Sequence, residues 1–211
     1  KIASMCGYSS QTSFLRVFKE RFEQTPKVWR NGGYKEYSNK ILNTCQTVSL
    51  IAEDYACSEP TIVKTPRKIA YYIREKGYGN KATQIWKKIK AWLYTNNITE
   101  FEQIGIYHDN PIITKHDDCY YVAAIVPLCE VNLDDTNLPS FEIYEGLCAC
   151  FNFEGEYEDI LKLIQWVYHY WLPNSGYEAT TIPSYTIFEK NYFLDDGGSF
   201  KATYYVPIQY T

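Results

Sequence analysis

In the first 33 residues, apolar side chains recur at the three- and four-residue spacing of an amphipathic helix. The stripe consists of Phe14, Val17, Phe18 and Phe22. A shorter helix is predicted to end before it, because Gly7 supplies the left-handed backbone that follows many helices. Ser9 or Ser10 is the predicted cap of the second helix. Thr25 and Pro26 predict the start of a third helix. The first region is therefore predicted to be helical throughout.

The pattern changes twice further along the chain. Residues 34–60 form a mixed connector with enough apolar positions for one helix. Residues 61–211 then alternate between strand and helix patterns, and the order of those patterns occurs twice. We place the two copies at about 61–127 and 141–209. Three regions follow from this: a helical region 1–33, a linker that is a candidate helix, and a duplicated C-terminal domain.

Each copy is predicted to contain a strand, a helix and two further strands. The first copy has strand 69–75, helix 81–95, strand 103–107 and strand 118–127. The second copy has strand 145–153, helix 157–172, strand 185–189 and strand 201–208. The predicted fold class is α+β, with two strand-helix-strand-strand units related by a pseudo-twofold axis. A cleft between two such units is a natural small-molecule site.

Charge is distributed unevenly between these regions. Residues 1–40 carry eight Lys or Arg and three acidic side chains, whereas the remainder carries 13 basic and 22 acidic side chains. A net +5 segment beside a net −9 segment is typical of a basic piece that faces nucleic acid. No apolar run approaches the roughly 20 residues of a membrane helix, so no membrane partner is expected. The chain starts without Met or a leader, within a helical pattern, so we expect a fragment of a longer protein.

A string of residues in the first region is specific enough to indicate a family. It comprises Ile2-Ala3, Cys6-Gly7-Tyr8-Ser9-Ser10-Gln11, Phe14, Arg16-Val17-Phe18-Lys19, Phe22, Thr25-Pro26 and Trp29-Arg30. This string resembles the second helix-turn-helix of AraC-type transcription regulators, whose second helix enters the major groove. The resemblance implies that the groove-facing residues contact bases: Gln11, Thr12, Ser13 and Arg16. It implies phosphate contacts by Lys19 and Arg30. Because the family uses two such motifs, this chain alone is expected to bind DNA weakly or not at all.

A second resemblance covers residues 61–209. It is carried by Tyr72-Ile-Arg74, Gly77-Tyr78, Trp92-Leu93, Ile106-Tyr107-His108-Asp109-Asn110-Pro111 and Val206-Pro207-Ile208. These segments resemble the GyrI-like, or Rob-type, effector-binding domain. A helix-turn-helix followed by this domain is the order found in Rob-like regulators. The resemblance implies a small amphipathic or aromatic effector.

The aromatic content indicates where that effector would bind. The chain has 21 tyrosines, and tyrosine faces suit flat amphipathic ligands. Family members carry a buried Glu on the strand after the second helix; here Thr186 takes that position, so the acid that would neutralise a cation is absent. On the strand that the duplication pairs with it, Gly105 is expected to leave room for a ligand. The predicted lining is Tyr71, Tyr107, Tyr121, Thr186 and Phe188.

Catalysis is not expected. Some GyrI-like domains resemble hydrolases that use the same Glu, and Thr186 offers no general acid or base in its place. His108, His116 and His169 are isolated in the sequence, and no metal, cofactor or phosphate-binding pattern accompanies them. The seven cysteines lack zinc or CxxC spacing, so we predict free, buried thiols in a cytoplasmic protein.

These expectations combine into a ligand-responsive bacterial transcription activator. It would bind double-stranded DNA in the full-length protein and a small molecule through its C-terminal domain, and RNA polymerase is a further candidate partner. Two alternatives from other classes stay open. One is a GyrI-like small-molecule hydrolase or drug-sequestering domain. The other is a module that binds only proteins.

Overall fold

The computed structural model describes residues 2–44, 58–78, 80–129, 138–194 and 199–211. The chain divides into two compact units, Lys1–Leu50 and Ile51–Thr211. The described part of the first unit is helical, and the second unit is a mixed structure built on an antiparallel sheet. The fold class is therefore α+β, as predicted.

Four helices make up the described part of the first unit. They are α1 (Ile2–Met5), α2 (Gln11–Phe22), α3 (Pro26–Val28) and α4 (Tyr34–Asn43). Ser10 rather than Ser9 caps α2, because its hydroxyl accepts the backbone N–H of Ser13 at 3.1 Å. Gly7 has a φ of +78°, the left-handed value expected after α1. Thr25 caps α3 and Pro26 is its first residue.

Aromatic rings hold the helices of the first unit together. Phe18 and Phe22 lie 4.6 Å apart between ring centroids, and Phe22 lies 4.5 Å from Trp29. The predicted apolar stripe on α2 is thereby confirmed. Helix α4 falls in the segment predicted as a linker, and it packs here too: Tyr37 contacts the Phe22 ring and donates its hydroxyl to the carbonyl of Arg21 at 3.1 Å. Residues 45–57, which hold the rest of that linker, lie outside the described residues.

Nine strands and three helices, of which α7 is short, occur in the described part of the second unit. In chain order they are β1 (Thr61–Thr65), β2 (Lys68–Lys76), α5 (Asn80–Thr95), β3 (Phe101–Tyr107), β4 (Tyr120–Pro127), β5 (Ser140–Ile143), β6 (Gly146–Gly155), α6 (Tyr157–Trp166), α7 (Leu172–Asn174), β7 (Tyr177–Ala179), β8 (Tyr185–Lys190) and β9 (Phe200–Tyr210). The sheet order is β1-β6-β9-β8-β3-β4-β2-β5, with β7 beside β9. If each of these eight strands is replaced by its counterpart in the other half of the sheet, the same order results, read from the opposite edge. This symmetry is what the duplication requires.

The predicted repeats correspond to β2-α5-β3-β4 and β6-α6-β8-β9. All eight predicted strand and helix starts lie within two residues of the observed ones. The second helix differs at its end, because α6 stops at Trp166 and Val167–Trp171 forms a wider π-type turn before α7. Strands β1, β5 and β7 are three to five residues long and were not predicted individually.

The sheet has two faces of different character. On one face, Tyr71 stacks on Trp92 of α5, and Phe151 contacts Trp166 of α6 edge to face. We call this the helix face. The other, which we call the open face, lies inside a half-barrel curl, because a single cavity there is lined by both outermost strands, β1 and β5. Successive residues of each strand alternate between the two faces.

Candidate functional site

A cavity of about 400 Å³ lies on the open face of the sheet. Five strand residues build its floor and part of its wall: Tyr72, Ile106, Val122, Ile143 and Tyr185. The remaining lining is Thr65, Arg74, His108, Phe141, Glu142, Tyr144, Gly146, Cys148, Thr181, Ile182, Pro183 and Pro207. Most of these side chains are apolar, which is typical of small-molecule pockets.

Apolar residues on the same face of the sheet pack beside the floor and hold it in place. Ile106, Val122, Ile143 and Tyr185 belong to one buried apolar cluster, against which Tyr72 packs. The other members or neighbours of that cluster are Ala70, Ile104, Ala124, Val126, Phe141, Ile187 and Tyr205. Because both strand partners and core neighbours fix these side chains, the cavity is formed without a ligand.

Two charged residues belong to the cavity lining, and the side chain of one of them, Arg74, lies on the open face. Arg74 projects from β2, and its guanidinium carbon lies 5.1 Å from the centre of the Tyr120 ring. Glu142 pairs with Ile69 across β5 and β2, so its side chain lies on the other face, where it forms an ion pair with Arg67 at 2.6 Å. Neither residue was predicted as part of a site. The period of two along β2 could have identified Arg74, but Glu142 lies on a strand that the sequence did not reveal.

A cluster of buried tyrosines occupies the helix face, directly behind the cavity. It consists of Tyr78, Tyr107, Tyr121 and Tyr204, with ring centroids 5.6 to 6.4 Å apart in successive pairs. We call this set the tyrosine cluster. Burial raises the pKa of Tyr107 to about 12 and that of Tyr204 well above its usual value of 10. The phenols are therefore neutral hydrogen-bonding groups at ordinary pH.

Hydrogen bonds fix the hydroxyls of Tyr107, Tyr121 and Tyr204. Trp86 of α5 donates its indole N–H to the Tyr121 oxygen at 3.0 Å. The hydroxyl of Tyr204 donates to Ser184 at 2.7 Å, and Thr186 donates to the Tyr107 oxygen at 3.4 Å. Each bond ties a strand residue to another element or strand, so the cluster is an ordered part of the core.

The five predicted ligand residues all lie on the helix face. Tyr107, Tyr121, Thr186 and Phe188 converge around the tyrosine cluster, whereas Tyr71 stands apart against Trp92. None of the five lines the cavity. The residues that do line it are often their immediate neighbours in sequence, such as Tyr72 and Tyr185. That a ligand contacts these five side chains stays a prediction.

The room expected above Gly105 is filled. A Cβ atom at that position would lie 2.6 Å from the Tyr121 oxygen and 3.0 Å from the Phe188 ring. The missing side chain therefore makes space for two neighbouring aromatic residues rather than for a ligand. The space above Gly105 on the helix face is therefore filled, whereas the open face carries the formed cavity.

In the first unit, the structure brings Gln11 and Arg30 to one shallow depression. It is also lined by Ile2, Ala3, Phe14, Leu15 and Pro26. Of the other residues predicted to contact DNA, Thr12, Arg16 and Lys19 are exposed and Ser13 is half-buried. Arg16 forms an exposed ion pair with Glu20 at 2.8 Å. Their contact with DNA stays a prediction.

The remaining candidate chemistry is limited. The described residues contain no group of three or more His, Cys, Asp or Glu side chains that could hold a metal ion. Burial lowers the pKa of His116, opposed by a hydrogen bond to the backbone of Pro111. None of the helices in the described part of the chain combines the length and apolar character needed to cross a membrane.

The cysteines correct one expectation. Cys119, Cys148 and Cys150 are buried and free, as predicted. Cys6 and Cys129 are free but exposed, so the prediction of burial is wrong for them. Both lie just beyond the end of a helix or strand, where packing ceases. Two further cysteines, at positions 45 and 57, lie outside the described residues.

The site and fold together define a family. A family model described as the GyrI-like small molecule binding domain matches residues 58–209. The chain belongs to the GyrI-like family of small-molecule binding domains.

Solved structures share this fold at low sequence identity. The C-terminal domain of EcmrR is 14% identical with a TM-score of 0.58, over 72% of this chain and 98% of that one. EcmrR in the EcmrR-DNA complex of EcmrR-RPo is 12% identical with a TM-score of 0.60, over 100% of this chain and 81% of that one. A hydrolase encoded by lin2189 from Listeria innocua is 13% identical with a TM-score of 0.51, over 75% and 96%. These likenesses show the fold.

Proposed function

We propose that this chain is part of an AraC-type transcription regulator that acts in the cytoplasm. Its first unit binds double-stranded DNA, and its second unit binds a small amphipathic or aromatic molecule in the cavity on the open face. One observation carries the proposal: a single chain joins a capped helix with exposed polar and basic side chains to a GyrI-like small-molecule domain.

The first unit has the local geometry that base reading requires. Ser10 ends the turn before α2 and starts the helix abruptly, so Gln11 and Thr12 stand exposed at its first turn. Side chains at the start of a recognition helix are those that reach base edges in helix-turn-helix proteins. The exposed Arg16–Glu20 pair is weak enough to exchange for a phosphate or guanine contact.

The second unit offers a cavity of the right size and lining. About 400 Å³ falls within the range of roughly 300 to 1,000 Å³ typical of small-molecule sites. The walls are mostly apolar, with few polar side chains among them. We propose binding rather than turnover, because the carboxylate of Glu142 lies on the face of β5 away from the cavity and is held by Arg67, and because Thr186 supplies no acid on the helix face.

Regulation requires that the small molecule favour one state of the protein over another. RNA polymerase belongs to the proposal as a partner, supported by the fold likeness to EcmrR in the EcmrR-DNA complex of EcmrR-RPo. A ligand that binds the second unit would then change either the DNA affinity or the contact with polymerase.

The test begins with selection of duplexes from a randomised DNA pool by the intact protein. We expect a selected sequence, and we expect Arg16→Gln to weaken binding to it by roughly tenfold. Lys40→Gln is the matched control, because it removes an exposed cation of the same unit that pairs with Glu23, the residue after α2. Equal effects of the two substitutions, or no selected sequence, would contradict specific DNA recognition.

A further inference from the structure

The charges around the open-face cavity are not balanced. Arg74 and Glu142 are the charged residues in the described lining, but Phe141 and Ile143 face the cavity, so the Glu142 side chain lies on the other face of its strand. Among the described residues, Glu142 has a partner of opposite charge and Arg74 does not. The occupant of the cavity should supply the negative charge that Arg74 lacks.

Arg74 has an aromatic support but no carboxylate. Its guanidinium lies over the Tyr120 ring, with 5.1 Å between the guanidinium carbon and the ring centroid. Among the ion pairs formed by described residues, none involves Arg74. A guanidinium stacked on a ring keeps its N–H donors available in its plane, where a carboxylate can accept two of them.

Glu142 does not compensate this charge. It is half-buried and is bound by Arg67 at 2.6 Å. Its partner across the sheet is Ile69, five residues before Arg74 on the same strand. At about 3.3 Å per residue, the two positions lie roughly 16 Å apart along β2. No carboxylate in the described part of the chain therefore neutralises the positive charge at the Arg74 end of the cavity.

Between these ends the cavity is aromatic and apolar. Tyr72 and Phe141 meet edge to face at 5.2 Å between ring centroids. Tyr185 stacks on Tyr205 with an interplanar angle of 2°. Flat rings arranged in this way favour a flat ring system as the occupant.

We propose that the open-face cavity binds a planar aromatic acid, with its ring system over Tyr72 and Tyr185 and its carboxylate on Arg74. The inference rests on the proposed function and names the class of its effector. It selects against cations, because a cation would have to lie beside Arg74 and the described lining residues offer no free carboxylate to receive it.

The test uses three probes of one shape and three charges: 2-naphthoate, 2-naphthamide and 2-naphthamidine. Their dissociation constants for the whole chain are measured by titration calorimetry. We expect the order naphthoate, naphthamide, naphthamidine from tightest to weakest. Arg74→Gln should weaken naphthoate by roughly tenfold and change naphthamide by less than about twofold.

Two further variants make the result specific. Lys76→Gln removes a cation two residues along the same strand face, where Lys76 pairs with Asp118 outside the cavity lining, and it should leave all three affinities within about twofold. Gly146→Leu adds a side chain on the cavity side of β6, where a Cβ meets no atom within 4 Å, and it should weaken all three probes together.

The outcomes separate this inference from the function on which it rests. Naphthamidine binding as tightly as naphthoate, or an Arg74→Gln variant with unchanged naphthoate affinity, would overturn the preference for acids. If Gly146→Leu still weakened the probes, the cavity would stand as a small-molecule site. Failure of all three probes to bind would contradict both the preference for acids and the binding of small molecules in the cavity. DNA recognition is tested separately, by the selection of duplexes.

Discussion

At the scale of single residues, Gly105 decides how closely the helix face packs. Its lack of a side chain lets the Tyr121 hydroxyl and the Phe188 ring meet above strand β3. Tyr121 is also held by the indole of Trp86, so it has little freedom to retreat. A single added methyl group would therefore force several ordered side chains to move.

Gly105→Ala is expected to lower the free energy of unfolding by about 1–3 kcal/mol, since it overpacks a filled site. Urea denaturation measures the loss. Gly146→Ala is the matched control, because it makes the same change on β6 with nothing within 4 Å. Equal stability of the two variants would show that the aromatic side chains above Gly105 move at little cost in free energy.

The same scale shows how far sequence predicts the candidate site. Period-two alternation and the resemblance located the right strands, and four of the five chosen side chains do converge. The formed cavity lies on the other face, so Tyr72 and Tyr185, not their neighbours, line it. Alternation fixes which residues share a face, but it does not say which face closes under helices when both faces are apolar.

At the scale of elements, the start of α2 is the clearest link between sequence and structure. The pattern left Ser9 and Ser10 as alternatives, and backbone geometry selects Ser10, whose φ and ψ are extended and whose hydroxyl reaches the Ser13 N–H. That cap fixes the first turn of the helix, which carries the residues proposed to read DNA.

Ser10→Ala is expected to destabilise the start of α2 by about 1 kcal/mol, because the Ser13 amide loses its acceptor. Hydrogen exchange of amides in the first turn of α2 is the measurement, and faster exchange at Ser13 is the expected result. Ser9→Ala should leave those amides unchanged. Equal acceleration by both changes would mean that the cap contributes nothing beyond the turn itself.

The strands that the sequence did not predict are those whose formation depends on pairing with another strand. Strands β1 and β5 have five and four residues, too few for an alternation to stand out. They exist because β6 and β2 offer paired backbone groups, a long-range effect that a local pattern does not contain. The longer strands and α5 carry enough periodic positions to be predicted without such help.

At the scale of the whole molecule, buried phenols make the second unit sensitive to alkali. Tyr107, Tyr168, Tyr185, Tyr204 and Tyr205 all have a pKa raised by burial. An unfolded chain ionises its tyrosines near pH 10, whereas folding keeps the Tyr107 pKa at about 12. A group with a raised folded pKa stabilises the fold below its unfolded pKa and loses that effect as pH rises.

The free energy of unfolding should therefore fall steadily as pH increases from 10 to about 12. Urea unfolding at several pH values measures this, and ultraviolet absorbance of phenolate reports which tyrosines ionise. Tyr107→Phe should flatten the dependence, because it removes one of the groups. Phenolate signals that appear fully before any loss of structure would contradict burial as the cause.

One sheet serves two surfaces, and consecutive residues of its strands belong to opposite ones. On β2, Tyr71 faces helix α5 and Tyr72 faces the cavity, and on β8 Tyr185 and Thr186 divide in the same way. Neighbouring codons thus control separate properties. Mutations at alternate positions can diversify what the domain recognises while the intervening codons preserve its packing, which gives such a domain an easy evolutionary route to new chemical signals.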